Sequence, residues 1–220
     1  MRVILFGATG MVGQGVLREC LLDPEVTTVA SVVRRPSGRP HAKLRELVHG
    51  DFHDFTPVER QLAGYDACFF ALGISSVGMT EEAYRKITVD ITRAAGTALA
   101  RVNPGMTFVF VSGAGADGSE RGSTMWARVK GEAENIVLRL PIKASYVFRP
   151  GIIRPLHGIK SRTTAYRIGY TIAAPLMALL VRTLPKFATT TEQIGRAMLG
   201  VAKHGFPKRV LETADINRVR

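Results

Sequence analysis

Cysteine is scarce in this sequence of 220 residues. Its two cysteines, Cys20 and Cys68, lie inside apolar segments and form no CxxC pair. A disulfide scaffold and a cysteine-based metal site are therefore poor fits, and we predict no metal site and a reducing compartment. Both thiols are expected to be inert core groups.

The sequence also lacks an N-terminal run typical of a signal peptide and a helix candidate long enough to cross a membrane. The first apolar run, Met1 to Phe6, contains Arg2 and stops at Gly7, which predicts a cytoplasmic protein. A charge-free helix candidate covers the 14 residues 168–181. As a helix it would rise about 21 Å, against roughly 30 Å for the hydrocarbon core of a bilayer.

Acidic residues are few in the last third of the chain. Residues 139–220 hold 15 basic and three acidic side chains, whereas residues 1–138 hold 15 of each, so the whole formal surplus of +12 lies in the C-terminal part. That part is expected to meet something negative: an anionic small-molecule substrate, a partner, or a membrane surface contacted through residues 166–181. The same helix could instead form a homodimer contact. The basic residues follow no nucleic-acid recognition pattern, so nucleic acid is not an expected partner.

Short β-branched runs alternate with longer helical patterns up to about residue 150. This alternation predicts an α/β fold: a doubly wound parallel sheet of the Rossmann type, with helices on both faces and a small C-terminal substrate-covering region. We assign residues 1–150 to the nucleotide-binding core and residues 151–220 to a region packed on the same domain. Strands are predicted at Val3–Phe6, Val26–Val33, Leu44–Val48, Asp66–Leu72, Thr107–Ser112 and Ala144–Arg149, and helices at Met11–Leu22, Pro57–Leu62, Thr80–Val102, Ser123–Leu140, Tyr166–Val181 and Thr191–Lys203.

A glycine-rich turn joins the first strand to the first helix. Glycines at three-residue intervals let the backbone approach a pyrophosphate, and the unpaired N–H groups of the helix N-terminus can bind it. A stray glycine pattern is weak, but its position between a strand and a helix makes it specific. The predicted cofactor contacts here are Gly7, Thr9, Gly10, Met11, Val12 and Gly13.

The end of the second predicted strand indicates which nicotinamide cofactor is bound. NAD binders commonly carry an acid there for the ribose hydroxyl, but this chain has Arg34 and Arg35. Two guanidiniums suit a 2′-phosphate, so we predict NADP, with NADPH preferred over NADH. Asp51, after the third strand, is a positional candidate for the adenine edge. Further candidates near the ribose follow the fourth strand: Ala71, Leu72 and Gly73.

Four motifs in order resemble the extended and atypical branch of the short-chain dehydrogenase/reductase superfamily, especially its NmrA-like and Tat-interacting-protein-like NAD(P)-binding members. They are the turn at 7–13, the sequence VSGAGAD at 111–117, VKGEAE at 129–134 and FRPG at 148–151. The resemblance implies a catalytic serine, a tyrosine and a lysine four residues after it. In that family the lysine holds the nicotinamide ribose and lowers the tyrosine pKa, so that the tyrosine can exchange the substrate proton.

Carried onto this chain, the resemblance assigns the lysine to Lys130 and the serine to Ser112. The position four before Lys130 is Trp126, which faces the same way on a helix. Indole has an N–H donor but no proton that exchanges near neutral pH, so Trp126 cannot serve as a general acid. The resemblance also implies that Pro150 and Gly151 meet the nicotinamide. Replacement proton donors are weaker candidates: Ser75, Ser76, Tyr84, His157 and Tyr166.

Two functions follow from these residues. The first is an atypical NAD(P)H-dependent oxidoreductase or epimerase-like enzyme acting on an unidentified small molecule. The second is an NADP(H)-binding sensor or interaction protein that keeps the cofactor site but has lost the proton relay. A similar opening motif occurs in semialdehyde dehydrogenases, but the chain is too short for their catalytic domain and Cys68 falls inside a strand, so we discard that interpretation.

Overall fold

The computed structural model describes residues 1–36, 38, 40–159, 180–181 and 183–219. Seven of the nine strands in this part form one parallel sheet with the order β3-β2-β1-β4-β5-β6-β9, and β7 and β8 form a separate parallel pair. The strands are β1 (Arg2–Phe6), β2 (Thr28–Val33), β3 (Leu44–Val48), β4 (Ala67–Phe70), β5 (Thr107–Val111), β6 (Ala144–Arg149), β7 (Ile152–Arg154), β8 (Ala188–Thr190) and β9 (Val210–Glu212).

Helices connect the strands and cover both faces of the large sheet. The described α-helices are α1 (Met11–Leu22), α2 (Glu81–Arg85), α3 (Ile91–Val102), α4 (Met125–Leu138), α5 (Thr191–His204) and α6 (Thr213–Ile216), with a 3-10 helix at Thr56–Leu62 and a π-helical segment at Lys86–Asp90 between α2 and α3. This architecture confirms the predicted doubly wound parallel sheet.

Alternate residues of each strand face opposite sides of the sheet, and both sides are buried. Ile4 and Phe6 of β1 join a hydrophobic cluster that includes the 3-10 helix, α3 and α4. Val3 and Leu5 join a second cluster that includes α1 and α5. All four side chains are fully buried. Burial on both faces explains why the strands appear as nearly continuous apolar runs in the sequence.

The two cysteines lie in these clusters, as predicted. Cys20 in α1 and Cys68 in β4 are buried and form no disulfide. Burial raises the pKa of the Cys68 thiol well above its usual range, and burial together with the nearby carboxylate of Asp23 raises that of Cys20. Neither thiol is a reactive nucleophile near neutral pH.

The structure corrects several predicted elements. The single helix predicted over Thr80–Val102 begins one residue later, because Thr80 is its N-cap and its hydroxyl accepts from Ala83 N at 3.2 Å, and the helix is interrupted by the π-helical segment. Strands β7, β8 and β9 and helix α6 were not predicted, since three- and four-residue elements carry no periodicity and depend on tertiary pairing. The predicted helix Tyr166–Val181 lies almost wholly outside the described residues. Among the described ones, no helix combines the length and apolarity needed to cross a bilayer.

Helices α1 and α5 approach closely because both carry glycine at their contact. A β-carbon on Gly15 would lie 2.5 Å from Thr191 O, and one on Gly195 would lie 2.8 Å from Glu19 Cγ. Glu19 is itself buried and pairs with Arg18 and with Arg196, whose Nε is 3.2 Å from Glu19 Oε2. This contact joins helix α5, in the C-terminal region, to helix α1, which follows the glycine-rich turn at residues 7–13.

We expect Gly15→Ala to destabilise the protein by about 1–3 kcal/mol, because the added methyl group meets backbone and not a flexible side chain. Urea unfolding followed by circular dichroism measures the difference. Gly105→Ala is the matched control, since a β-carbon at Gly105 meets open space. Equal unfolding midpoints for the two variants would contradict this account of the contact.

Candidate functional site

The glycine-rich turn at residues 7–13 lies where the strand order reverses, between β1 and β4. Gly7 has a positive φ of 82°, and a β-carbon there would lie 2.5 Å from Ala71 O on the neighbouring chain segment. A β-carbon on Gly13 would lie 2.0 Å from Gly7 O. Any side chain at either position would push the turn away from β4 or from α1. These glycines therefore hold the turn at the crevice where open α/β sheets bind ligands.

Helix α1 begins at this turn with its N-terminus open. Its N-cap is Gly10, which has no side chain to cap the helix, and the first turn contains no acidic residue. Met11 and Val12 are half-buried in that first turn. Free N–H groups and the positive end of the helix dipole favour an anion at this place.

A cavity of about 620 Å³ opens beside the turn. Its described lining brings together five of the predicted cofactor residues: Gly7, Thr9, Arg34, Arg35 and Leu72. The remaining lining residues are Ala8, Val32, Val33, Pro36 and Phe52. The described lining contains two cations and no carboxylate. Neither guanidinium has an ion-pair or hydrogen-bond partner in the described part of the chain.

Phe52, and not Asp51, lines this cavity. The Asp51 carboxylate accepts a hydrogen bond from His53 N at 2.8 Å and is exposed. Phe52 is buried, with its ring edge-on to Phe6 at a centroid distance of 6.2 Å. Phe52 was not predicted from the sequence as a lining residue of this cavity, because a single aromatic residue after a strand is typical of the hydrophobic core. The available signal was its place directly after Gly50-Asp51 at the end of β3.

The second part of the site lies at the ends of β4 and β5. Lys130, on α4, donates from Nζ to Val111 O at 3.4 Å and lies 5.1 Å from the centre of the Phe110 ring. A β-carbon on Gly73 would lie 3.7 Å from the same Nζ. Burial lowers the pKa of Lys130 to about 8, although the charge of Glu134 partly opposes this shift. No carboxylate of the described chain forms an ion pair with it.

Ser112 directly follows Val111, whose carbonyl oxygen accepts the hydrogen bond from Lys130. Its N–H donates to Phe148 O at 2.8 Å, which extends the ladder between β5 and β6. Its hydroxyl is buried and has no hydrogen-bond partner among the described residues. A buried hydroxyl without a partner is costly, and a bound ligand is one way in which such a group completes its bonding. The hydroxyls of Ser31, Thr88 and Ser145 are also unpartnered in the described chain, so the position of Ser112 next to Val111, and not this property alone, singles it out.

Trp126 lies over the glycine-rich loop that follows Ser112. A β-carbon on Gly115 would be 3.5 Å from Trp126 Cη2, and one on Gly113 would be 4.0 Å from Cζ3. The indole is half-buried and packs at the edge of a hydrophobic cluster. The structure thus brings Trp126 and Lys130 onto one helix bordering the same loop, but it gives position 126 no proton-exchanging group.

Asp117 fixes the loop to α4. Its carboxylate accepts from Ser119 Oγ at 2.6 Å and from Gly122 N at 2.6 Å, and these bonds, that of Ser119 first, lower its pKa to about 2. The Asp117 N–H donates to Ala127 O at 2.9 Å. A β-carbon on Gly131 would lie 1.7 Å from Asp117 O, so only glycine allows the helix to pack at this depth.

The turn after β6 connects the site to the C-terminal region. Pro150 O accepts from Ala114 N at 3.0 Å, and Gly151 N donates to Thr213 Oγ1 at 2.8 Å. Arg149, at the end of β6, makes a bidentate ion pair with the buried Glu134 of α4. These contacts join the turn to the loop beneath Trp126.

The other candidate proton donors are not gathered at this site. Tyr84 is buried in a hydrophobic cluster, and burial raises the pKa of its hydroxyl. His157 contacts Glu192 Oε2 at 2.5 Å on the side of α1 and α5. Ser75 accepts from Val77 N at 3.3 Å within an exposed loop that also contains Ser76. Tyr166 lies outside the described residues, as does the predicted surface of 166–181 except for its last two positions.

Comparison with known proteins agrees with this geometry. Residues 7–145 match the model of a family described as NAD(P)H-binding. Among solved structures, the thiolation-reductase di-domain of an archaeal non-ribosomal peptide synthetase superposes with a TM-score of 0.70 at 12% identity, covering 96% of this chain and 70% of that one. The enzyme WbmF from Bordetella bronchiseptica, in complex with NAD⁺, gives 0.66 at 15% identity, covering 98% and 76%. These likenesses show the fold.

Relatives in fungi are similar in sequence. The mitochondrial protein fmp52 of Emericella nidulans is 30% identical over 161 residues, which cover 69% of this chain and 66% of the relative, somewhat under two thirds of its length. The mitochondrial protein FMP52 of Candida albicans is 24% identical over 177 residues, which cover 79% of this chain and 74% of the relative.

The predicted cytoplasmic location is wrong by this comparison, because the relatives are named as mitochondrial proteins. The resemblance to the atypical short-chain dehydrogenase/reductases is confirmed, while the finer NmrA-like assignment stays a prediction.

We expect NADPH affinity to fall by up to about tenfold as pH rises from 7 to 9, because the protonated fraction of Lys130, the form that would bond the cofactor ribose, falls about tenfold over this range. The cationic form exists below its pKa of about 8 and disappears above it. Trp126 is the single tryptophan of the chain, so energy transfer from it to bound NADPH measures the affinity. Lys130→Met should bind weakly at every pH, and Lys130→Arg should show no decline up to pH 9. A decline that persists in Lys130→Met would contradict the assignment.

Proposed function

Because the chain belongs to the NAD(P)H-binding family, we propose that it is an NADPH-dependent oxidoreductase acting on a small molecule. Two neighbouring groups at the end of β5 carry this proposal: the Lys130 ammonium, which donates to Val111 O, and the buried hydroxyl of the next residue, Ser112, which has no partner among the described residues. A buried cation without a carboxylate partner is costly unless a ligand uses it. Here it borders the crevice that the fold offers to a nucleotide.

When bound, NADPH would supply the reducing equivalents, and the residues of this chain would hold and orient it. The turn at 7–13 and the open N-terminus of α1 would bind the pyrophosphate. Lys130 would bond the nicotinamide ribose. Gly73, Pro150 and Gly151 would border the nicotinamide with little side-chain bulk. Ser112 would donate from its hydroxyl to a substrate oxygen.

The preference for NADPH over NADH rests on Arg34 and Arg35. Both line the cavity of about 620 Å³ without partners in the described chain, and the described lining holds no carboxylate to bind a ribose diol. A planar guanidinium binds phosphate through two parallel hydrogen bonds. Phe52 and Pro36 supply apolar surface for the adenine in the same cavity.

Replacing Arg34 by Asp is expected to weaken NADPH binding about 10–100-fold, the range for losing charge-assisted hydrogen bonds, and to change NADH binding less than about threefold. Energy transfer from Trp126 measures both cofactors. Arg139→Asp makes the same charge change just beyond the far end of α4 and should leave both affinities unaltered. Equal losses for NADPH and NADH in Arg34→Asp would remove the basis for the 2′-phosphate assignment.

A second function, a sensor that binds NADP(H) without turnover, is favoured by one observation. Trp126 occupies the position of the proton-exchanging tyrosine, and its ring is fixed over the loop at Gly113–Gly115. Such a protein would bind NADPH but would not oxidise it with any of the acceptors tested. The Trp126→Tyr variant would behave in the same way. Measured NADPH consumption with carbonyl and quinone acceptors decides between the two functions, and turnover by the unmodified protein supports the oxidoreductase.

A further inference from the structure

A buried carboxylate lies one helical turn beyond Lys130. Glu134 follows Lys130 by four residues on α4, and residues at this spacing are neighbours on one face of a helix, with β-carbons about 5–6 Å apart. Glu134 is only 1% exposed. Opposite charges at this spacing attract each other, so the carboxylate is the nearest natural partner for the ammonium on this helix. No ion pair joins these two described side chains, however.

Arg149, at the end of β6, binds the Glu134 carboxylate instead. Arg149 Nε donates to Glu134 Oε1 at 3.0 Å, and Nη2 donates to Oε2 at 2.5 Å. One guanidinium therefore engages both oxygens of the carboxylate, which is the strong bidentate form of this pair. The hydrogen bonding to Glu134 raises the pKa of Arg149 above its usual value, although burial partly opposes this shift.

The register of β5 and β6 places the two cations at the same end of neighbouring strands. Lys130 donates to Val111 O, at the end of β5. Val111 is paired with Phe148, the residue before Arg149. Burial lowers the pKa of Lys130 to about 8, and the charge of Glu134 is the influence that partly opposes this fall. Glu134 therefore acts on Lys130 already, while its oxygens are bonded to Arg149.

The other titratable groups that neighbouring elements present to α4 are engaged elsewhere. Strand β5 carries none, and Tyr84 of α2 is buried with a raised pKa, so that it stays neutral. The charged groups of α2, α3 and the loop after β5 have these partners: Arg85 and Arg93 with Glu132, Glu81 with Arg128, and Asp117 with Ser119. The shift in the pKa of Lys130 comes from burial and from Glu134, without a contribution from these groups.

We propose that Arg149 is a positioning residue for cofactor binding, which holds the Glu134 carboxylate away from Lys130 and leaves the Lys130 ammonium free for the nicotinamide ribose. The inference rests on the NADPH-binding function proposed above. Without the guanidinium, Glu134 would be a buried charge without a partner, which is costly. The cation one turn away on the same helix is Lys130, and an ion pair between the two would occupy the ammonium that the cofactor needs.

The direct test follows the titration of Lys130 by NMR in the protein without cofactor. Carbon-13 labelling gives a Cε signal for each lysine, and the Lys130→Met variant identifies that of Lys130. Arg149→Met should raise the pH midpoint of this signal by at least about one pH unit, the effect of an opposite charge within about 4–6 Å. The double variant Arg149→Met/Glu134→Gln should show no such rise. An unchanged midpoint in Arg149→Met, or a rise that persists in the double variant, would overturn the proposal.

Two further variants control this comparison. Arg196→Met also removes an arginine from a buried glutamate, Glu19, but at the contact of α5 with α1, and it should leave the midpoint of Lys130 unchanged. Glu134→Gln tests the same coupling if Arg149→Met does not fold. It should lower the midpoint of Lys130, because the charge that opposes the effect of burial is removed. A midpoint that stays unchanged in Glu134→Gln would contradict the coupling.

Cofactor binding supplies the second measurement. At pH 7, Arg149→Met should bind NADPH about tenfold more weakly, the lower range for losing a charge-assisted hydrogen bond, as measured by energy transfer from Trp126. The double variant with Glu134→Gln should recover most of this affinity, because no carboxylate then competes for Lys130. A loss that the double variant retains would show a purely structural role and overturn the proposal. Absence of NADPH binding by the unmodified protein would overturn the proposed function itself, which is a different result from either failure above.

Discussion

The packing of α4 against the loop after β5 is the constraint on which the chemistry of this site depends. Gly131 lets the helix approach Asp117 O closer than any other residue would allow, and Asp117 in turn organises the loop through its carboxylate. One rigid unit therefore carries Trp126, Lys130 and the backbone that follows Ser112. A substitution that moved α4 outward would displace all three together, so the cation and the indole keep a fixed relation to the end of β5.

Much of the fold was predictable from the sequence because its signals are local. The apolar β-branched run of β5 and the helical periodicity of α1 are visible in the sequence, and within the glycine turn Gly13 is constrained by a contact with Gly7, only six residues away. The contact of Gly7 with Ala71 is long-range and was not predictable in this way. Phe52 and the ion pair between Arg149 and Glu134 were not predictable, since neither has a local signature. Strand β9 likewise exists only through its pairing with β6, between residues some 60 positions apart.

The concentration of positive charge in the C-terminal part has a partial internal explanation. Among the described residues of this part, three Lys or Arg side chains pair with acids of residues 1–138: Arg149 with Glu134, Arg196 with Glu19, and Lys203 with Asp23 and Glu25. A fourth, Lys208, pairs with Asp215 of the same part. The balanced first part of the chain thus supplies carboxylates to the basic second part. Electrostatic attraction between the two parts accompanies the close contact of α1 with α5. It explains part of the concentration of basic residues in the C-terminal part, while the net surplus of +12 of the whole chain is unchanged.

The two halves of the site have diverged unequally from the pattern of the superfamily they resemble. At the cavity, the glycines of the turn allow close backbone approach to a nicotinamide nucleotide, and Arg34 and Arg35 add positive charge to the described lining. Beside Lys130, one replacement removes the proton donor but leaves the cation and the serine. Nucleotide binding and proton exchange therefore depend on different residues, and a change at Trp126 can remove one without the other. For this reason turnover, and not cofactor binding, separates the two proposed functions.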